Sequence, residues 1–115
     1  MNSTLAAFLD DFGFNCENTL KHDPQQFSRW WIRENNRHRP AIIREWQRQE
    51  SPTQGVLFEA VQLLTNMDAA NLIPFKETKR RDIAEKRIAR QCREFYKRRK
   101  DEITAAWEQR HPIGE

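Results

Sequence analysis

The residues best suited to chemistry in this chain are its lysines and arginines, which crowd between residues 76 and 100. That segment holds twelve basic and four acidic residues. On a helical wheel of about 100° per residue, ten of the twelve basic side chains share an arc of about 160°. Lysine and arginine neutralise a phosphate backbone without needing a particular base sequence, so nucleic acid is the natural counter-charge. We expect the main phosphate contacts from this segment to be Arg80, Arg87, Arg90, Arg93, Lys97 and Arg98.

A second group of arginines lies between residues 24 and 50, where six arginines and no lysine face three glutamates. Arg29, Arg33 and Arg37 follow one another at four-residue steps, which places them on one side of a helix. Guanidinium groups hold phosphate at two points and stack on bases. These arginines are expected to form a second phosphate-binding stripe if the fold sets them beside the first.

The sequence gives little support for other chemistry. Three glycines in the whole chain leave no loop that could cradle a nucleotide with backbone amides. No Ser/His/Asp or Cys/His arrangement is present, and the potential metal ligands are too scattered to converge: Cys16, His22, His38, Cys92 and His111. We therefore predict no metal, no cofactor and no catalytic activity.

Local sequence signals predict the helices of the N-terminal half. Apolar residues from Leu5 to Phe12 at helical spacing predict a helix over residues 3–12, ended by Gly13 and followed by a turn capped at Asn15. Residues 23–26 combine an aspartate N-cap, a first-turn proline and a glutamine, which predicts a second helix start.

The tryptophans of this second helix admit two roles. Trp30 and Trp31 lie next to Arg29 and Arg33 and so could stack unpaired bases. Their helical spacing with Phe27 instead favours burial, because large aromatic side chains supply much of a small core.

Two more helices are expected before residue 75. Pro40 indicates that the helical pattern restarts there rather than continuing through it. Residues 51–54 repeat the start signal of residues 23–26 and predict an apolar helix, after which residues 66–74 are expected to form a connection with a short helical turn.

The C-terminal segment has no proline or glycine from residue 75 to residue 110, which predicts one long helix of about 35 residues, or about 50 Å. Such a helix could project, break near Asp101 or pack along a neighbouring subunit. Arg81 and Arg99 fall inside its apolar arc. They could snorkel, pair with Glu85 or Glu102, or mark where the helix leaves the bundle.

Together these patterns predict an all-α protein, a small bundle of about five helices with a long basic amphipathic C-terminal helix. The length of 115 residues fits a single domain over residues 1–115. Residues 1–75 would form the core helices, and residues 76–110 would form the long basic helix. The N-terminus carries no basic leader and no window is apolar enough to span a bilayer, so we expect a cytoplasmic protein without membrane contact.

The functional prediction is a non-catalytic protein that binds the nucleic-acid backbone. RNA or single-stranded DNA is favoured over duplex, because the connection before the basic helix lacks the tight turn of a helix-turn-helix module. In size, helicity and charge the chain is similar to the small helical subunits that line the nucleic acid in ribonucleoprotein effectors such as CRISPR complexes. That likeness implies association with other subunits or with further copies of the chain.

Two alternatives remain open from the sequence. The first is a protein-interaction module, an inhibitor or assembly adaptor, whose basic face meets an acidic protein surface. The second is a peripheral membrane or calmodulin-type amphipathic helix, which would require the aromatic side of the C-terminal helix to be exposed.

Overall fold

The structure, a computed structural model, describes residues 2–50 and 53–112, and most of these residues are helical with no strand among them. The prediction of a small all-α bundle is confirmed, with six α-helices in the described residues instead of about five. They are α1 (Ser3–Asn15), α2 (Pro24–Glu34), α3 (Arg39–Gln47), α4 (Val56–Asn71), α5 (Thr78–Arg98) and α6 (Lys100–Arg110).

Helix α1 buries the predicted apolar face, but it does not end at Gly13. It continues to Asn15 and leads into a π-helical turn, Cys16–Leu20. Gly13 is buried, and a Cβ atom there would lie well inside van der Waals contact with the Ile103 side chain. The glycine thus allows α6 to approach α1 closely. The Asn15 cap is also wrong, because its side-chain amide donates to the Asp11 carbonyl oxygen at 2.7 Å.

The start of α2 follows the predicted pattern. The Asp23 carboxylate accepts a hydrogen bond from the Gln26 backbone N–H at 3.1 Å, and Pro24 occupies the first turn. A 3-10 turn, Asn35–Arg37, separates α2 from α3, which restarts with Pro40 in its first turn as predicted. Because α2 ends at Glu34, Arg37 does not share a helix with Arg29 and Arg33. The prediction that Arg29, Arg33 and Arg37 lie on one side of a single helix is therefore wrong for Arg37.

Helix α4 begins later and ends later than predicted. Thr53 and Gln54 are not helical, and Ser51 and Pro52 lie outside the described residues. The helix starts after Gly55, whose φ of 98° is in the left-handed region that favours glycine. It then continues through most of the predicted connection to Asn71, since Met67 and Ala70 are buried.

The long C-terminal helix is interrupted at Arg99, which has φ −112° and ψ 25°. The chain turns there without a proline or glycine, so α5 and α6 are separate helices instead of one helix over residues 76–110. Of the outcomes considered for that segment, a break near Asp101 is the one observed, two residues earlier than expected. The turn lets α6 pack on α1, where Ile103 and Ala106 are buried. A straight helix would have left both apolar side chains in water, which explains why the break is favourable.

Aromatic side chains from α1, α2 and α5 form the centre of the core. The ring of Phe12 lies 5.3 Å from that of Phe95 and 5.6 Å from that of Trp31, both edge to face. Trp31 is fully buried and Trp30 is half-buried, with their ring centroids 5.1 Å apart. Burial of Trp31 agrees with the core role that the spacing favoured.

The close approach of α6 to α1 gives the first testable prediction. Gly13→Ala is expected to lower the free energy of unfolding by about 1–3 kcal/mol, because the added methyl group overpacks against Ile103. In an Ile103→Ala background the same change should become neutral or stabilising, since alanine is the better helix former. Urea denaturation of wild type, the two single variants and the double variant measures the coupling free energy between Gly13 and Ile103. An equal effect of Gly13→Ala in both backgrounds would contradict the contact.

Candidate nucleic-acid interface

Helix α5 has one buried side and one cationic side. Ile88, Cys92 and Phe95 pack in the core, whereas the opposite side of the helix is exposed. Nine basic and three acidic residues lie in this 21-residue helix. The predicted separation of apolar and basic arcs is therefore present in the folded chain.

Five exposed side chains on α5 have no ion pair and no side-chain hydrogen bond within the described residues. We call this group the α5 cationic strip: Lys79, Arg87, Arg90, Arg93 and Lys97. It extends along about 27 Å of helix, at a rise of about 1.5 Å per residue. Glu94 is the one acidic residue exposed among them in α5. Four of the six α5 residues that the sequence predicts as phosphate contacts belong to this strip, namely Arg87, Arg90, Arg93 and Lys97.

Three of the other four basic residues of α5 form ion pairs. Arg80 lies 3.0 Å from Glu77, and Lys86 lies 3.1 Å from Asp82. Arg98, which the sequence also predicts as a phosphate contact, lies 2.8 Å from Glu59 of α4. Exposed pairs of this kind are weak, so Arg80 remains available to a polyanion at small cost. Arg98 is tied more firmly, because Glu59 also binds Arg99.

The α2 arginines do lie beside α5, but Arg29 is engaged within the molecule. Its Nε and one terminal nitrogen donate to the buried Glu85 carboxylate at 3.1 and 3.2 Å. The Gln25 side chain donates a third bond at 3.0 Å. Burial alone would raise the pKa of Glu85, but these hydrogen bonds and the charge of Arg29 together hold it below its usual value. Arg29 is thus a structural residue that fastens α2 to α5.

Arg33 remains open to ligands. It lines a cavity of about 250 Å³ between α2 and α5, together with Arg81 and Thr78. It also lines a larger polar cavity of about 680 Å³ beside Trp30. Arg37 is exposed in the 3-10 turn that follows α2. The second stripe is therefore reduced to Arg33 near α5 and Arg37 off the helix.

The two basic residues in the apolar arc have distinct partners. Arg81 donates to the Ile73 carbonyl oxygen at 2.6 Å, and its guanidinium carbon lies 4.3 Å from the centre of the Phe75 ring. Arg81 thus holds the connection between α4 and α5 and does not bond to Glu85. Arg99 pairs with Glu102 at 3.3 Å, one of the expected partners.

Sequence reasoning missed Glu59, and it considered Glu85 only as a partner of Arg81 or Arg99 and not of Arg29. The position of Glu85 within the apolar arc of the helical wheel was a signal, because a buried carboxylate needs a partner. Glu59 carried no such signal. Its pairing with Arg98 and Arg99 depends on how α4 crosses the end of α5.

The cysteines and the potential metal ligands of residues 2–50 and 53–112 form neither a disulfide nor a metal-binding group. Cys16 and Cys92 are free, and burial raises the pKa of both thiols, which keeps them protonated. No three histidine, cysteine, aspartate or glutamate side chains in that part of the chain lie close enough to hold a metal ion.

No family model, curated protein or solved structure matches this chain. Among the described helices, none combines the length and apolar character needed to cross a membrane. The candidate interface is therefore defined by its own geometry and charge.

The Glu85 contact gives a pH-dependent prediction. Glu85→Gln is expected to lower the free energy of unfolding by about 1–3 kcal/mol at neutral pH, because charge-assisted hydrogen bonds are lost. The folded-state pKa of Glu85 is lowered, so its contribution is present above the unfolded value of about 4.3 and disappears as pH falls through the folded value. Urea denaturation from pH 7 to about pH 2.5 should show the two proteins converging.

The matched control for this experiment is Glu45→Gln, which removes the exposed pair with Arg48. Its effect is expected to stay within about 0.5 kcal/mol at every pH. A Glu85→Gln deficit that stayed constant from neutral to acid pH would contradict a role for the carboxylate charge.

Proposed function

We propose that this protein binds the phosphate backbone of RNA or single-stranded DNA through the α5 cationic strip, without catalysing a reaction. The observation that supports this role is the alignment of five exposed cations that have no internal carboxylate partner. Side chains three or four residues apart on a helix lie about 5–6 Å from one another, so these like charges repel. A bound polyanion relieves that repulsion.

The distribution of internal ion pairs strengthens the proposal. The flanks of α5 are joined to neighbouring helices by ion pairs: Glu85 of α5 binds Arg29 of α2, and Glu59 of α4 binds Arg98 of α5. The middle of the exposed side receives none among the described residues. A helix whose charges served only for solubility would carry acidic residues at i±4 throughout, as ion-paired surface helices do.

Backbone contacts of this kind confer affinity with little sequence preference. The protein would therefore coat or position a strand instead of reading it. Such a role suits a small subunit of a larger ribonucleoprotein assembly, in which several copies or partner subunits follow one strand.

A salt titration of two matched variants tests the proposal. Binding of a mixed-sequence single-stranded oligonucleotide is measured by fluorescence anisotropy between about 50 and 200 mM salt. Wild-type affinity should fall steeply with salt. Arg90→Gln/Arg93→Gln should bind about tenfold more weakly at low salt, and its log–log salt slope should be smaller by about 1.4.

The control, Arg44→Gln/Arg48→Gln, removes the same number of charges from exposed residues in and just after the last turn of α3. It should bind like wild type. Equal weakening of both variants would show that only net charge matters, and absence of binding at low salt would refute the proposal.

A protein-interaction role is the second candidate, and exposed apolar side chains before and within α5 favour it. Leu72, Phe75 and Ile83 are 78, 83 and 58% exposed. Ile83 also borders a groove of about 470 Å³ between α4 and α5, with Arg80 and Arg87 at its edge. Exposed apolar side chains beside cations suit an acidic protein with an apolar anchor.

The variant Leu72→Ser/Ile83→Ser separates this candidate from the first. Under the nucleic-acid proposal it should bind oligonucleotides as wild type does, because the cationic strip is intact. If wild type binds no oligonucleotide and a defined protein partner is lost from this variant alone, the interaction role is the correct one.

A further inference from the structure

A pocket of about 310 Å³ lies where α1, the end of α5 and α6 meet. Its volume is at the low end of the range for small-molecule sites, about 300–1,000 Å³, and so suits one planar ring system. We call it the aromatic pocket and define it by Phe14, Tyr96, Lys100, Ile103, Thr104 and Trp107.

Two aromatic side chains of this pocket are unusually exposed. Phe14 is 65% exposed and Trp107 is 46% exposed, whereas Phe8, Phe12 and Phe95 are fully buried in the core. Phe14 and Trp107 therefore add little to the core of the bundle. His111 stacks on the Trp107 ring at 5.0 Å, which helps to fix the ring that lines the pocket.

The charges around the pocket favour an anionic strand at its edge. Both carboxylates that line it are already matched: Asp10 lies 3.2 Å from Arg110, and Glu17 lies 3.1 Å from Lys21. Lys100 has no ion pair within the described residues. Its Nζ lies 5.6 Å from the centre of the Tyr96 ring.

The pocket adjoins the α5 cationic strip. Tyr96 immediately precedes Lys97, and it follows Arg93 by three residues, a spacing that brings two side chains together on a helix. The strip therefore reaches the pocket through Arg93, and Lys100 continues the positive charge along its edge.

We propose that the aromatic pocket holds one unpaired nucleobase of the strand whose phosphates lie on the α5 cationic strip. This inference rests on the proposed function and adds the reason for preferring single strands. Bases stack on exposed aromatic rings with little dependence on their identity. In a duplex the bases are already stacked and paired, so they cannot enter the pocket without an energetic cost.

An abasic oligonucleotide separates base binding from phosphate binding. It carries the same number of phosphates as a mixed-sequence single strand of equal length but no bases. Wild-type protein is expected to bind the abasic strand and a duplex of the same length about tenfold more weakly than the normal single strand at low salt.

Trp107→Ala and Phe14→Ala are the two test variants, and both positions are exposed enough for the bundle to tolerate them. Each should weaken binding of the normal single strand several-fold and leave binding of the abasic strand unchanged. The control Phe75→Ala removes a still more exposed aromatic residue that lies outside the aromatic pocket and should change neither.

The outcomes distinguish the two proposals. If wild type binds normal and abasic strands equally, backbone binding stands and the base pocket is refuted. The pocket is also refuted if the Trp107 and Phe14 variants weaken both strands to the same extent. If no strand binds at low salt, both proposals fail. The better hypothesis is then that the pocket holds an aromatic side chain of a protein partner.

Discussion

Repulsion between like charges on α5 is the unfavourable interaction that the rest of this structure must offset. Nine basic residues share a 21-residue helix with three acidic ones. The helix is held by burial of Ile88, Cys92 and Phe95 on its inner side. Two carboxylates then fasten its flanks, with Glu85 bound to Arg29 of α2 and Glu59 of α4 bound to Arg98 and Arg99. Apolar packing and these pairs offset the repulsion of the exposed side.

The division between paired and unpaired cations follows from this arrangement. Arg29 and Arg98 lie at the borders of α5 with its neighbours, where a carboxylate from the next helix can reach them. Arg90 faces solvent along the middle of the helix, beyond the reach of any neighbouring element in the described chain. The carboxylates of Glu85 and Glu59 thus join helices, and the exposed side of α5 keeps a line of positive charge that an external partner can contact. The aromatic pocket lies at the end of that line, where α5 turns into α6.

Local signals in the sequence predicted much of the fold. The Asp23 cap with Pro24, the restart at Pro40 and the basic arc of the C-terminal segment depend on residues close together in the chain, and all three are present. Features that depend on distant contacts were not predictable in this way. Gly13 was interpreted as a helix end because its real neighbour, Ile103, lies ninety residues away. A break near Asp101 was one of three outcomes that the sequence allowed, but no proline or glycine marks the turn at Arg99, so the sequence could not select it. Four of the six α5 residues predicted as phosphate contacts are exposed and unpaired within the described residues, whereas the pairing of Arg29 with Glu85 depends on a distant contact and was not foreseen.

A nuclear magnetic resonance titration tests the phosphate-binding role of α5 most directly. Backbone amide shifts of the full chain are followed while a mixed-sequence single-stranded oligonucleotide is added at low salt. If the α5 cationic strip contacts the phosphates, the largest shifts should fall on Arg87, Arg90, Arg93 and Lys97, with Tyr96 and Trp107 following as the base enters its pocket. Shifts confined to Leu72, Phe75 and Ile83, or no shifts at all, would contradict it.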